Sequence, residues 1–525
     1  VVLDSRGGSG VETQYKAYGD PIQLPTSEKV GYDFAGWYNS PDGADANGAK
    51  YAEEIFEEAG DLYLYAYWTP KTYSAVYNSC GGNTVDPASD VVYGRDFVLE
   101  VPTNANGIYA FAGWYSKEGG AGTRLTDETG KSVTSWPYTE QTTVYACWRE
   151  VFKFVQTTSA SSGKLVYAVE INFMKSVQIP AEYNNTPVAV IYSGAFNNCS
   201  TLESIEIPDT MEAIGSTADS DASGPFSGCT NLDAVNIYKT EGNHAVRYQS
   251  IDGILLDNNP NTSTLRIAYF PRTRTGMYRI PEGVQELPVK TFANSKLSMI
   301  VIPSSMTAIR ESAFYNCKNL TSIIFEEATS SENATLLIEA KAFQNCSALK
   351  EISFPKHLTE LSVKNEGTTE IDTFIGCNNL SAINVAEGNA QYSSIDGVLC
   401  TAEETGKTIL YYPLGRRGSY TIPVGVTGVG AGAFTDRALL TEVVIPNYVT
   451  SIGSNAFSLC ENLESVIFLG SAAPTTMSIG DYAFYDLPVL KSVSFDSNSD
   501  VVSIGNYAIN SERDFRKTQQ KISNN

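Results

Sequence analysis

The residue types in this sequence that could do chemistry are nine cysteines and two histidines. Three cysteines, Cys80, Cys147 and Cys400, are scattered, and no two cysteines form a Cys-x-x-Cys pair. A zinc or redox site would normally show such closely spaced thiols. The other six share one position of a recurring pattern, and they are Cys199, Cys229, Cys317, Cys346, Cys377 and Cys460. This spacing predicts small buried residues stacked in a core, with disulfides between neighbouring repeats as the alternative.

The two histidines give little support for acid–base or nucleophilic catalysis. His357 stands at a position of the pattern that other copies fill with Thr210, Ser305 and Tyr448. Because residues of different chemistry replace it there, we predict a structural role for His357. His244 lies in a polar Glu-Gly-Asn-His loop. We therefore expect no catalytic residue set.

Phosphate and metal motifs are incomplete. The segments 130–132 and 406–408 end like phosphate loops, but each lacks the earlier glycine. Residues 219–224 read Asp-x-Asp-x-Ser-Gly, the first half of a calcium loop, but Thr230 stands where a bidentate Glu belongs. A solvated acidic insertion is the predicted interpretation, with calcium binding as the alternative. We expect no cofactor and no metal.

Charge and hydropathy exclude two classes of partner. The formal net charge is −23, and binding a nucleic acid requires a basic stripe, which the sequence lacks. No apolar run approaches the ~18 residues of a membrane span. The sequence begins without Met and without a signal peptide. We therefore expect a piece of a longer protein, whose targeting or anchoring segments lie outside it.

A repeat must position these residues. The pattern Ala-Phe-x-x-Cys-x-x-Leu-x-x-Ile-x-Ile recurs, and its phenylalanines are Phe196, Phe226, Phe292, Phe314, Phe343, Phe374, Phe434, Phe457 and Phe484. The Leu-x-x-Ile-x-Ile part predicts a short strand whose alternate residues point inward. The Ala-Phe part closes each coil with a helical or 3₁₀ turn. One coil cannot bury its own apolar face, so stacked coils must share one core.

Other repeats complete the organisation. Tyr-x-Ser-Ile-Asp-Gly at 248–253 and 392–397 opens two insertions that we predict to be β-hairpins. Three motifs of the first 150 residues occur twice, namely Gly-Gly at 7–8 and 81–82, Phe-Ala-Gly-Trp-Tyr at 34–38 and 111–115, and Leu-Tyr-Ala-Tyr-Trp at 64–68, which returns as Val-Tyr-Ala-Cys-Trp at 144–148. The predicted domains are a β module at 1–70, a second at 71–150, a solenoid with its cap at 151–510, and a polar tail at 511–525.

Both halves resemble known families. The Ala-Phe-x-x-Cys-x-x-Leu pattern with its Ser-Ile-Asp-Gly insertions resembles the BspA-like leucine-rich repeat proteins of bacterial surfaces. Residues 1–150 resemble two internalin-type B-repeats (Listeria–Bacteroides repeats), which are small β-grasp-like modules. Some residues depart from these patterns, because Ser295, Arg437 and Leu487 replace the repeat cysteine and Cys80 precedes the second Gly-Gly. The expected fold class is a mainly β repeat protein, a leucine-rich-repeat solenoid of short parallel strands preceded by two β-grasp-like modules.

The strand surface is the candidate binding site. In each strand, the residue between the two inward positions should project outward. This column reads Glu206, Asn236, Val301, Ile324, Ser353, Asn384, Val444, Ile467 and Ser494. A merely solvated face should be polar, so its Val and Ile members favour a protein-binding surface. The alternative is that β-branched residues simply favour strands. The two insertions also interrupt the column.

These observations predict a non-enzymatic adhesion or protein-binding role. The resemblance implies a bacterial protein that is secreted or associated with the cell wall, and that binds host matrix or cell-surface proteins. The alternative is a structural stalk or spacer for another domain, and a minor alternative is a carbohydrate-active enzyme. The sequence does not assign an oligomeric state.

Overall fold

The computed structural model describes residues 1–42, 48–52, 54–104, 107–156, 164–168, 171, 174–215, 224–242, 246–259, 263–327, 334–363, 372–470, 476–495 and 500–508. The chain divides into two compact units, Val1–Phe154 with Tyr167–Phe173, and Val155–Val166 with Met174–Asn525. His244 and residues 219–223 of the half calcium loop lie outside the described residues. No helix in the described ranges is long and apolar enough to cross a membrane.

The first unit contains two sheets with related topology. Its strands are β1 (Val2–Asp4), β2 (Tyr32–Tyr38), β3 (Tyr63–Pro70), β4 (Thr72–Asn78), β5 (Ala88–Val92), β6 (Tyr109–Tyr115) and β7 (Thr142–Glu150). The sheet orders are β1–β3–β2 and β5–β4–β7–β6. β1 runs parallel to β3, and β4 runs parallel to β7. The Phe-Ala-Gly-Trp-Tyr strands, β2 and β6, are antiparallel to β3 and β7. The two sequence repeats therefore form sheets with the same pairing of equivalent strands.

The recurring aromatic motifs fill the core of each sheet. Trp37 and Trp114 are buried, and their indole N–H groups donate to the carbonyls of Pro25 and Glu100 at 2.8 Å. The glycine of the same motif, Gly113, lies at a β-bulge and has φ 128°. A Cβ added to Gly113 would lie 2.3 Å from the Thr126 carbonyl oxygen. Only glycine fits such a position.

The second unit is a solenoid with two long β surfaces. The strands that follow β7 are β8 (Phe152–Gln156), β9 (Lys164–Ala168), β10 (Ser176–Gln178), β11 (Glu182–Tyr183), β12 (Thr186–Ile191), β13 (Ser204–Pro208), β14 (Ala213–Ile214), β15 (Ala234–Tyr238), β16 (Tyr248–Ile251), β17 (Ile254–Asn259), β18 (Thr264–Tyr269), β19 (Thr275–Arg279), β20 (Val284–Leu287), β21 (Lys296–Ile302), β22 (Ala308–Ile309), β23 (Ser322–Phe325), β24 (Leu336–Ile338), β25 (Glu351–Phe354), β26 (Leu358–Leu361), β27 (Ala382–Val385), β28 (Tyr392–Ile395), β29 (Val398–Thr401), β30 (Lys407–Tyr411), β31 (Gly418–Thr421), β32 (Val426–Val429), β33 (Leu440–Ile445), β34 (Ser451–Ile452), β35 (Ser465–Phe468), β36 (Thr476–Ile479), β37 (Ser492–Phe495) and β38 (Asp500–Ile504).

The Leu-x-x-Ile-x-Ile segments form one of these surfaces. It has three sections of parallel strands, β10–β13–β15, β19–β21–β23–β25–β27 and β31–β33–β35–β37. The other surface contains the sheets β16–β17–β18–β20–β22–β24–β26 and β28–β29–β30–β32–β34–β36–β38. Each of these begins with an antiparallel hairpin at the Ser-Ile-Asp-Gly motif, which confirms the two predicted insertions. The expected fold class is therefore observed.

The Ala-Phe segments close the coils through single turns. The Cys346 amide donates to the Phe343 carbonyl at 3.1 Å, and the same bond recurs in other coils. The residue directly before the cysteine is left-handed, with φ 62° at Asn345 and 60° at Asn316. A left-handed residue ends a right-handed helix. The predicted helical or 3₁₀ closure is thus one hydrogen-bonded turn, and Glu118–Gly120 is the only 3₁₀ element among the described residues.

A continuous aromatic column runs through the solenoid core. Phe292, Phe314, Phe343 and Phe374 stack with centroid separations of 5.1, 5.4 and 5.8 Å. The hairpin coils supply aromatic residues that the repeat pattern did not identify. Phe270 packs 4.6 Å from Phe292. Tyr412 takes the equivalent place in the later hairpin, 4.5 Å from Phe434. The hairpins therefore carry the core across the wide gaps in the repeat.

Candidate functional site

The six repeat cysteines act as backbone hydrogen-bond donors. Each thiol from the second onward donates to the carbonyl of the aromatic residue one coil earlier, for example Cys346 to Phe314 at 3.2 Å and Cys377 to Phe343 at 3.0 Å. The same bond is made by Cys229, Cys317 and Cys460. Burial raises the pKa of Cys377 to about 12, so the reactive thiolate form is suppressed. These contacts give the cysteine column a structural role.

Arg437 shows what that position requires. It replaces a repeat cysteine, is 1 % exposed, and donates from Nε to the Tyr412 carbonyl, the bond that a thiol makes elsewhere. Its guanidinium also lies 4.5 Å from the ring centre of Tyr411, and the Tyr411 hydroxyl donates to Asp372 at 3.1 Å. The sequence marks Arg437 as a departure, but it does not indicate this buried network. Nothing in a repeat pattern predicts the partners of an exception.

His357 is a buried part of the coil. It is 9 % exposed, and its Nδ1 has no hydrogen-bond partner among the described residues. Burial lowers the pKa of His357, and the nearby Glu327 carboxylate only partly opposes that shift. The geometry places a neutral imidazole in a turn that other coils fill with uncharged residues.

A pH measurement tests this placement of His357. Because the pKa is lower in the folded state than the unfolded value of about 6.5, protonation favours unfolding and stability falls as the pH drops through that value. We expect the melting temperature to fall less between pH 7 and pH 5 in His357→Ser than in the wild type. Ser305 fills the same position in another coil, so the replacement should fold. Equal losses in the two proteins would contradict the placement.

The nine predicted site residues form one column in three sections. Strand pairing joins Glu206 to Asn236 in the first section. It joins Val301, Ile324, Ser353 and Asn384 in the second. It joins Val444, Ile467 and Ser494 in the third. The pairing also adds Gln178, Arg279 and Thr421, one at the start of each section. We call these outward positions the strand face.

The first section of the strand face is polar. The Asn236 side-chain amide donates to the Glu206 carboxylate at 2.8 Å, and Gln178 pairs with Glu206 on the other side. Ile205 and Val235, which directly precede Glu206 and Asn236, point inward and are fully buried. This section thus looks like an ordinary solvated sheet surface.

The second section carries an apolar patch. Ile324 is 44 % exposed and Met277 is 66 % exposed. Met277 pairs with Met299, which lies two residues before Val301 and therefore on the same face. We call Met277, Met299 and Ile324 the methionine patch. The column of residues between the inward positions does not include either methionine, although each lies two places before a column residue and so shares its face.

Val301 was predicted to project into solvent, but it is buried. It is 8 % exposed. Arg279, the column residue of the preceding strand, forms a salt bridge with Glu326, whose Oε2 accepts from Nη2 at 2.9 Å. Since Glu326 lies two residues beyond Ile324, this ion pair crosses β21 on its outward side, over Val301. A long side chain from a neighbouring coil therefore covers an outward-pointing residue.

The third section has a smaller apolar group. Val444 and Ile467 pair directly and are half-buried. Leu469, two residues beyond Ile467, is 41 % exposed. Ser494 follows Ile467 in the column and is exposed. The geometry thus leaves two separate apolar areas on the strand face, one in each of its last two sections.

Comparisons with known proteins agree with the repeat assignment. The family model of the BspA type leucine rich repeat region matches residues 170–243, 189–267, 263–390 and 416–523. The Listeria-Bacteroides repeat domain matches residues 1–67 and 73–147. A protein of Evansella cellulosilytica described as a Gly-rich membrane protein is 28% identical over 195 residues, 34% of this chain. The match spans only 19% of that protein's length.

Two solved structures are also similar. The pneumococcal vaccine antigen PcpA is 20% identical with a TM-score of 0.38, over 69% of this chain and 78% of its own. A leucine rich cell surface protein of Faecalibacterium prausnitzii is 19% identical with a TM-score of 0.35, over 66% of this chain and 93% of its own. The family matches cover more than half of the sequence. This chain belongs to the BspA-type leucine-rich repeat family.

Proposed function

We propose that the solenoid binds a protein ligand through its strand face, with the methionine patch at the centre of the contact. The observation that carries the proposal is that Met277 pairs with Met299 and that Ile324 is the diagonal neighbour of Met299 on the next strand. On this sheet surface solvation alone would favour polar residues, yet Met277 and Ile324 are exposed. Burying neighbouring exposed apolar side chains under a partner stabilises the complex, because their apolar surface leaves water. Methionine also adapts its shape to different partners.

The polar neighbours of the patch fit the rim of a protein interface. The Arg279–Glu326 ion pair lies beside Ile324, and Ser353 follows Ile324 in the column. Protein interfaces commonly combine an apolar centre with such a rim. We therefore place Ile324 at the centre and the ion pair at the border. The column residues Glu206, Asn236, Asn384, Val444, Ile467 and Ser494 extend the proposed surface along the solenoid.

We further propose that the protein acts without catalysis and outside the cell, either secreted or associated with the cell wall. The buried position of His357 and the backbone contacts of the repeat cysteines support a structural use of these residues. The Faecalibacterium protein is described as a cell surface protein. We retain the domain limits 1–70, 71–150, 151–510 and 511–525 as part of this proposal.

Substitutions on the strand face test the binding proposal. The full chain is screened against immobilised host matrix and cell-surface proteins, and any ligand found is tested with Ile324→Glu and Ile467→Glu. A charge at a desolvated contact should weaken capture at least about tenfold. Val289→Glu and Val424→Glu are matched controls, because both residues are exposed apolar side chains outside the strand face, at 53% and 82% exposure. The controls should bind like the wild type.

Two results would overturn this proposal. One is that no matrix or cell-surface protein is captured although circular dichroism shows the folded chain. The other is that a captured ligand binds both strand-face variants as tightly as the wild type. Either result would favour a structural stalk whose strand face is simply hydrated.

A further inference from the structure

The second β module contains two half-buried cysteines, Cys80 and Cys147, that the repeat of the solenoid does not explain. Both stand at positions that recur in the first module. Arg6 precedes Gly-Gly there, as Cys80 does at 81–82, and Tyr67 precedes Trp68, as Cys147 precedes Trp148. The first module therefore has neither cysteine, and the second has both. Two thiols that occur together in one copy of a repeat suggest that each depends on the other.

Strand register places the two cysteines side by side. β4 runs parallel to β7, and the last pair of the ladder is Asn78 with Tyr145. Cys147 lies two residues beyond that pair on β7, and Cys80 lies two residues beyond it in the turn that follows β4. The strands stay together past the ladder, because the Trp148 indole donates to the Ser79 carbonyl at 2.8 Å. Adjacent strands lie about 4.8 Å apart, which is within the Cα separations that a disulfide can span.

The surroundings of the two sulfurs agree with this register. Cys80 has a left-handed backbone with φ 46°, which turns its side chain at the end of the strand. Burial raises the pKa of the Cys80 thiol, Glu118 and Cys147 raise it further, and a hydrogen bond from the Ala146 backbone opposes them. The Cys147 sulfur lies 2.8 Å from where a Cβ on Gly120 would stand. Gly120 therefore lies against Cys147, and Glu118 of the same short turn is close enough to act electrostatically on Cys80.

We propose that Cys80 and Cys147 form a disulfide bond that joins the first and last strands of the second β module. The oxidant is a disulfide compound outside the cell, either a small-molecule disulfide or a protein thiol oxidase. One cysteine thiolate attacks the oxidant, forms a mixed disulfide and releases one thiol. The other cysteine then attacks the mixed disulfide at the first sulfur, closes the Cys80–Cys147 bond and releases the second thiol. Two protein thiols are oxidised and one disulfide is reduced to two thiols.

The bond should stabilise the module and leave the solenoid unchanged. It would close a loop that spans β4 to β7, and such a crosslink restricts the unfolded chain. The repeat cysteines differ, because they are buried and donate hydrogen bonds to backbone carbonyls. The inference is independent of ligand binding by the strand face, which lies in the other unit.

The test uses the full chain and glutathione disulfide as the oxidant. Reduced protein is incubated with it, denatured, alkylated and weighed, and peptides are mapped without reduction. We expect two of the nine cysteines to escape alkylation and a peptide pair linked through Cys80 and Cys147. Reduction should lower the melting temperature of the module by about 10 °C. Alkylation of every cysteine, or a crosslink through any other cysteine, overturns the proposal.

The first module provides the matched control. The double variant Cys80→Arg/Cys147→Tyr copies the residues that the first module has at the same places, so it should keep the fold. We expect all of its remaining cysteines to be alkylated after oxidation, and its melting temperature should not depend on reductant. A reductant effect of the same size in this variant would show that the stabilisation arises elsewhere and would overturn the proposal. The peptide map of the wild type decides the bond itself, whether or not the variant folds.

Discussion

Phe343→Ala should lower the free energy of unfolding of the solenoid by about 4 kcal/mol. Phe343 is fully buried, and its ring stacks 5.4 Å from Phe314 and 5.8 Å from Phe374. The substitution removes contacts to both neighbouring coils, and the stability of a solenoid depends on those neighbour contacts. Its position inside the column means that no end coil can relax to fill the cavity. Urea unfolding followed by circular dichroism measures the loss.

Phe495→Ala is the control for this prediction. Phe495 is half-buried in the last strand of the strand face, and it stacks at 4.5 Å on Phe468. Because the Phe495 side chain buries less apolar area, its substitution should lower the free energy of unfolding by only about 1–2 kcal/mol. A repeat array can unfold in more than one step, so limited proteolysis should accompany the urea curve and show cleavage near residue 343 in the first variant. Equal losses in the two variants would contradict the view that the aromatic column couples the coils.

Asp257→Ala should cost about 3–5 kcal/mol of folding stability, because it leaves two arginines without their shared partner. Asp257 is 2 % exposed. Arg247 donates to both of its carboxylate oxygens at 2.7 and 3.0 Å, and Arg266 donates at 2.9 and 3.1 Å. Burial alone would raise the pKa of Asp257, but the hydrogen bonds from the two arginines outweigh it and lower that pKa. The ionised Asp257 carboxylate therefore stabilises the folded state above about pH 4, and this stabilisation is lost as the pH falls below that value.

The second hairpin supplies a control without charges. Gln391, Thr401 and Thr408 occupy the places of Arg247, Asp257 and Arg266, and the Thr401 hydroxyl accepts from the Thr408 amide at 2.9 Å. A triple variant, Arg247→Gln with Asp257→Thr and Arg266→Thr, replaces the whole ion cluster and should lose only about 1 kcal/mol. Thermal unfolding at pH 7 and pH 3 separates the variants. If the triple variant is as unstable as Asp257→Ala, the loss does not come from unpaired charge.

Most of the architecture could be predicted because each signal was local. The spacing of Phe and Cys in the repeat gives the length of a coil, and alternation within a strand gives the direction of each side chain. The positions of Ile205, Ile300 and Val443 in the core follow from that alternation, and all three are buried. The two hairpin insertions were also predictable, since turn residues separate their apolar segments.

The candidate site was predictable only in part. Periodicity indicated that Val301 and Ile324 point the same way, and they do pair. It could not indicate that the Arg279–Glu326 ion pair covers one of them and leaves the other exposed. Nor did it bring Met277 and Met299 to the patch, because their pairing follows a register shift between β19 and β21. Exposure depends on the long side chains of other coils, which a local pattern does not describe.

The sequence by itself determined the repeat, the inward position of its cysteines and the family to which the chain belongs. These features depend on residue types at short, regular spacing, and physical chemistry leaves them few alternatives. Only the tertiary structure decided the partners, such as Arg437 with the Tyr412 carbonyl and Asp257 between two arginines. It also decided the strand register from which we infer that Cys80 lies near Cys147. Arg437 and Tyr412 are 25 residues apart, so their contact exists only after the coils stack. The Asp257 cluster is local, but it forms only when β16, β17 and β18 pair.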